Sequence, residues 1–299
     1  MTARQRKDRI DATGAALLVG FSLLLAVNQI LIKLVNAGMN PVFQAGLRSA
    51  AAILPVILFA RLAGWKLTIR DGSLWPGVLA GLFFSFEFVL LFQALEWTSV
   101  SRTSILFYTM PVWVALAAHF FIPAERLTPR RIAGLLLAVA GVVVALAKDD
   151  HPASERAFVG DLMALLAATG WAAVGLTARL TALSRANPAM QLVYQLVVSA
   201  PVLLLLAAFA GEPFRDMTPA LWGIFAFQAV GVVAAGFMLW FWVLSIYPAS
   251  DMASFAFLTP VFGVALAALT LGEPLTENVV AALVLVGAGI WLVNRRPRA

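Results

Sequence analysis

Two charged residues stand inside stretches that are otherwise apolar: Arg48 within 42–63 and Glu87 within 73–95. A charge held in so long an apolar run is expensive, and it points to function by default. Counted at ~1.5 Å per residue along a helix, Arg48 near the start of its run and Glu87 near the finish of its own both fall roughly 10–12 Å below the outer surface. An Arg48–Glu87 ion pair is therefore open to them. Such a pair either locks two helices together or lines a cavity between them, and the sequence leaves both readings standing. Uncharged or weakly polar groups also lie inside apolar runs, and six of them are the strongest candidates: Asn28, Tyr108, Trp113, Trp171, Tyr194 and Gln195. Apolar and aromatic walls with a few polar groups make a pocket for a small solute. An amino acid would find rings for its side chain there, and amides for its ammonium and carboxylate. Taken singly, each of the six also fits plain helix packing. Pro111 and Pro260, each in mid-run, are expected to kink their helices by removing a backbone donor. Matching kinks would shape a shared cavity.

The other reactive groups point away from catalysis. His119 falls near the end of one run and His151 in the longest polar loop, too far apart to converge on a metal or act as a catalytic pair. There is no cysteine, so disulfides and thiolate metal sites are excluded. No glycine-rich phosphate loop appears, nor a soluble stretch to hold ATP. No cofactor and no metal is expected. The net charge of +6 comes from basic residues scattered over short loops, which gives no basic face for nucleic acid. A membrane-embedded enzyme acting on lipids or prenyl groups would need His, Asp or Glu clustered at one membrane surface, and the sequence has no such cluster. Asp161 and Asp251 lie near the starts of runs, where a helix N-terminus favours an acid.

The elements that must position these groups are apolar helices. The chain is 62% hydrophobic and 12% charged, with a mean hydropathy of +0.92, whereas soluble domains carry about 25% charged residues. The apolar residues gather into about ten runs of membrane-crossing length, and lipid admits them only as helices. The expected spans are 11–35, 42–63, 73–95, 102–121, 131–147, 159–180, 187–209, 219–244, 251–271 and 278–294. The first is too long for a signal-peptide core and is read as an uncleaved span. Seven of the nine tryptophans fall near span ends, as an interfacial aromatic belt requires; Trp113 and Trp171 do not. With the N-terminus inside, fifteen of the twenty-one Lys and Arg residues face the cytoplasm and four face outward. Both termini are thus expected to be cytoplasmic.

The stretch from Ser101 to Leu146 returns as Ser250 to Val293. Ser101 meets Ser250, Pro111 meets Pro260, Glu125, Leu127 and Thr128 meet Glu273, Leu275 and Thr276, and Gly141 meets Gly289. Such order and spacing over almost fifty residues mark an internal duplication. Asn40-Pro41 and Asn187-Pro188 extend it to the second span of each half. The boundaries are 1–148 for the first five-span unit, 149–158 for the connecting loop and 159–299 for the second. Five spans per unit force the second to enter the membrane inverted, and inverted repeats characterise secondary transporters with a substrate site near mid-membrane. Glu125 and Glu273 are expected to close turns, with Thr128 and Thr276 starting the next helices.

These repeated features resemble the EamA-type branch of the drug/metabolite transporter superfamily, along nearly the whole chain. Its carriers are the two Glu-x-Leu-Thr turns, Pro111 and Pro260, the tails ending in Gly141 and Gly289, and the exits Phe92-Gln93-Ala94-Leu95 to Ser101 and Trp242-Val243-Leu244 to Ser250. Within that branch the sequence is similar to bacterial YddG-like amino-acid exporters. The resemblance implies a ten-helix protein of the bacterial inner membrane with a central cavity. It would export amino acids, aromatic or other neutral ones foremost, or similar small metabolites, by alternating access. A related member could instead move another solute such as a nucleotide sugar.

Overall fold

A computed structural model describes residues 10–122, 126–147, 155–247, 255 and 257–294. Glu125, His151 and Asp251 lie outside the described residues, as does most of the connecting loop. The described chain is helical apart from turns, short 3-10 segments and one isolated β-bridge, Met39 to Phe214. The helices are α1 (Ala12–Asn36), α2 (Pro41–Leu62), α3 (Leu74–Trp97), α4 (Val100–Phe107), α5 (Met110–Phe121), α6 (Pro129–Leu146), α7 (Ala157–Leu180), α8 (Pro188–Ala207), α9 (Pro219–Phe227), α10 (Phe237–Ile246), α11 (Leu258–Leu271) and α12 (Glu277–Asn294). A π-helical segment, Gln228–Gly236, joins α9 to α10. Among the described residues eight helical stretches are long and apolar enough to cross a membrane, with α4–α5 counted as one and α9 running through the π segment to Trp240; α11 and α12 are shorter apolar helices.

Turn chemistry starts the helices where the sequence places its punctuation. Pro41 and Pro188 open α2 and α8, where a missing N–H costs nothing. The side chains before them serve as caps: Asn40 Oδ1 accepts from the amides of Val42 and Phe43 at 3.0 and 3.3 Å, and Asn187 Oδ1 from Met190 at 3.0 Å. Thr128 and Thr276 cap α6 and α12 in the same way, each at 3.3 Å. Pro111 and Pro260 depart from the expected kinks. Each sits in the first turn of a helix, α5 and α11. The span 100–121 therefore breaks at Tyr108-Thr109 and restarts, instead of bending as one helix. At the break the Thr109 hydroxyl donates to the Leu106 carbonyl at 2.6 Å, one of the last-turn acceptors of α4.

Small residues set how the helices meet. A Cβ added to Gly289 would lie 2.6 Å from the Gly134 carbonyl and 2.7 Å from the Ala138 amide, and one on Gly141 would lie 2.7 Å from Val286. As the number rises along α6 from 134 to 141, the partner on α12 falls from Val293 to Val286; the two helices run antiparallel with backbones in contact. The α2–α8 seam repeats the pattern: Gly46 faces Leu204, and the Ser199 hydroxyl donates to Ser49 Oγ at 3.0 Å. Glycine is needed at such approaches because any side chain forces the backbones apart. Gly289→Val should lower unfolding free energy by about 2 kcal/mol through overpacking, measured by thermal or denaturant unfolding in detergent. An unchanged midpoint would dismiss the close α6–α12 contact.

Candidate functional site

A polar junction closes one end of the bundle, where α1, α3 and α11 finish and α2, α4, α7 and α12 begin. Glu273, from the turn before α12, reaches the start of α4. Its carboxylate accepts from the amides of Val100 and Ser101 at 2.7 and 2.9 Å and from the Ser101 hydroxyl at 2.7 Å. These amides have no partner inside their own helix, and a carboxylate suits a helix N-terminus. Lys33 Nζ donates to the carbonyls of Leu95 and Thr98 at 2.9 and 2.6 Å, so it caps the end of α3 instead of extending to the membrane surface. Asp161, fully buried, takes a two-pronged contact from Arg102 at 2.6–3.1 Å and a 2.7 Å bond from the Thr98 hydroxyl. Arg215 Nη1 bonds Glu96 at 2.6 Å and the Asn36 carbonyl at 3.0 Å. The sequence marks Glu273 and Asp161 only as turn and helix-start residues, because their partners lie far away along the chain.

Below this junction lie the two intramembrane charges. Arg48 is seven residues into α2 and Glu87 ten before the end of α3, or ~10 and ~15 Å along their helices. Both are buried, with 2% and 5% of their surface exposed, and they attract one another electrostatically. Even so, neither makes an ion pair or a hydrogen bond to a described residue. The Arg48 guanidinium instead stands over the rings of Phe88 and Phe92, 4.7 and 4.6 Å from their centroids, a favourable cation–π arrangement. Glu87 backs onto Gly170 of α7, where an added Cβ would come within 3.0 Å.

The other sequence candidates divide. Tyr108 ends α4 fully buried; its hydroxyl faces Thr259 of α11, and the Glu87 charge acts on it. It shares an apolar cluster with Phe92, while Phe88 and Trp113 pack against that cluster. The Trp113 indole donates to Thr109 Oγ1 at 3.3 Å, so its N–H is used locally. Trp171 keeps 37% exposure, yet the helical period sets it in the same arc as Ala164, Ala167, Ala168 and Val174, all buried. Gln195 is half-buried and stands nearly opposite the exposed Val197 on α8. Asn28 Oδ1 is buried without a partner among the described residues, as are Gln29 Nε2, Gln44 Oε1 and Gln228 Nε2. Gln29 accepts from the Ser104 hydroxyl, and Gln44 Nε2 donates to Gln228 Oε1 at 3.2 Å. The Gln44 contact has no local signal in sequence. Tyr194 stands apart: its hydroxyl meets Ser73 Oγ at 3.0 Å, at the opposite end of α3, and its ring covers Gly77. That is a helix-packing role, not a place beside Arg48 and Glu87.

Helices of membrane-crossing length, with charges buried at mid-depth, define a multi-pass membrane protein. The chain belongs to the EamA-like transporter family, whose model matches residues 12–147 and again 158–295. It is thus a transporter. Among its relatives are proteins named "Probable amino-acid metabolite efflux pump" in Salmonella typhimurium and Escherichia coli. The first is 29% identical over 91% of this chain and 93% of its own length, and the second 27% identical over 95% of each. A Bacillus subtilis protein named "Uncharacterized transporter YoaV" is 23% identical over 92% of this chain and 94% of its own. A solved crystal structure shares the fold, with a TM-score of 0.65 and 20% identity over 94% of this chain and 96% of that one.

Proposed function

We propose that the protein is a secondary transporter that exports amino acids, aromatic or other neutral ones foremost, or closely similar metabolites, by alternating access. Ten helices form two inverted units, 1–148 and 159–299, in a bacterial inner membrane with both termini cytoplasmic. The observation that carries this reading is the antiparallel meeting of counterpart helices. The fifth span of the first unit, α6, packs antiparallel on the fifth of the second, α12, and α2 packs antiparallel on α8. Counterpart helices related this way support an axis in the membrane plane, about which two halves exchange conformations. The two family matches along the chain and the names of two relatives add support.

The test is flux. Purified protein in liposomes, loaded with each of the twenty amino acids and assayed with and without a proton gradient, should move a subset of them. Absence of flux for all twenty would overturn amino-acid export. A competition panel containing nucleotide sugars would then separate the rival solute class.

A further inference from the structure

We propose that Arg48 and Glu87 form the two poles of a clamp for an α-amino acid zwitterion, the guanidinium taking the carboxylate and the Glu87 carboxylate taking the ammonium. The inference rests on the amino-acid reading above and names the groups that would recognise the substrate.

The argument begins with what these two residues forgo. Taking an ion out of water costs several kcal/mol, and the usual repayment is a close partner with full hydrogen bonding. Arg48 and Glu87 are almost wholly buried and sit near enough to feel one another, yet neither has such a partner among the described residues. Elsewhere the same fold pairs its charges closely, at Arg102–Asp161 and Arg215–Glu96, both 2.6 Å. Arg48 and Glu87, at mid-depth, do not pair in this way.

The surroundings hold each group ready. Phe88 and Phe92 lie beneath the Arg48 guanidinium and satisfy its charge without using its N–H donors. A planar fork with free donors is matched to a carboxylate, which it grips at two points. On the other side of α3, Gly170 lets α7 approach Glu87. The next residue, Trp171, presents a partly exposed ring within the packing arc. Tyr108, on which the Glu87 charge acts, supplies an aromatic wall on the Glu87 side, where a neutral side chain can lie. The two poles sum to zero charge, as does a zwitterion, so binding exchanges one balanced set of charges for another. An amine or an acid alone would engage one pole and leave the other buried and unanswered. The second unit carries Gln195 where the first has Arg48, so the clamp occurs once per chain.

The full-length protein in liposomes, counterflowing labelled L-phenylalanine, tests this with three competitors: unlabelled L-phenylalanine, its decarboxylated amine phenethylamine, and its deaminated acid 3-phenylpropionate. In the native protein the amine and the acid should compete about a hundredfold more weakly than the amino acid, since a polar site rejects an analogue that leaves its groups unpaired. Arg48→Gln should erase the advantage of the amino acid over the amine. Glu87→Gln should erase its advantage over the acid. Arg48→Lys keeps the charge without the fork, and should weaken the amino acid and the acid while leaving the amine unchanged; this variant serves if Arg48→Gln does not fold. L-phenylalanine flux with an unaltered ranking in all three variants would overturn the clamp and leave amino-acid export standing. Absence of flux for L-phenylalanine and the other nineteen amino acids in the native protein would overturn both.

Discussion

Asp161→Ala is expected to lower unfolding free energy by about 3–5 kcal/mol, the cost of leaving a charge buried without its partner. The carboxylate is fully buried and receives three bonds from Arg102 and one from Thr98. The Arg102 side chain itself is only 12% exposed. Thr98 ends α3, Arg102 lies in α4 and Asp161 lies in α7, so one side chain ties together three helices from both halves of the chain. The check is the unfolding midpoint in detergent, read alongside the double variant Arg102→Leu/Asp161→Leu. Replacing both charges by apolar groups removes the penalty along with the pair, so the double variant should lose less than Asp161→Ala alone. Additive losses would show that the two residues act independently.

Glu273→Gln should loosen the same end of the molecule by about 2 kcal/mol, the scale of one hydrogen bond to a charged group. That corresponds to about a thirtyfold rise in the open fraction. Glu273 accepts from two adjacent amides and a hydroxyl at the start of α4. A glutamine amide turned toward those donors would offer a donor in place of an acceptor. Hydrogen exchange localises the effect: the Val100 and Ser101 amides should exchange faster by that factor, while the α6–α12 seam stays protected. Unchanged exchange at Val100 and Ser101 would show that the carboxylate does not hold the helix start.

What could be read from the sequence was what is local. Asn40-Pro41 and Asn187-Pro188 announce helix starts because cap and proline are neighbours in the chain, and both caps form. The apolar runs announce spans, and Arg48 and Glu87 stand out because they are charges with no business in lipid. Pro111 is ambiguous because mid-run position alone cannot tell a kink from a restart, and the fold sets it in the first turn of α5. Tyr194 looked like its fellow aromatics until packing gave its hydroxyl to Ser73, 121 positions away. The reach of Glu273 to Val100 spans 173 positions, and only the tertiary fold brings such groups together. Whether Arg48 and Glu87 pair is left open by the sequence, because depth along a run is legible only to within a few residues.

The glycine contacts between α6 and α12 carry a mechanical consequence. With backbone against backbone at Gly134 and Gly289, sliding one helix by a single turn, ~5.4 Å, would drive a side chain into space that only a hydrogen atom fits. Rolling either helix would do the same. The two therefore behave as a single stiff post, and any rearrangement of the bundle has to pivot around it.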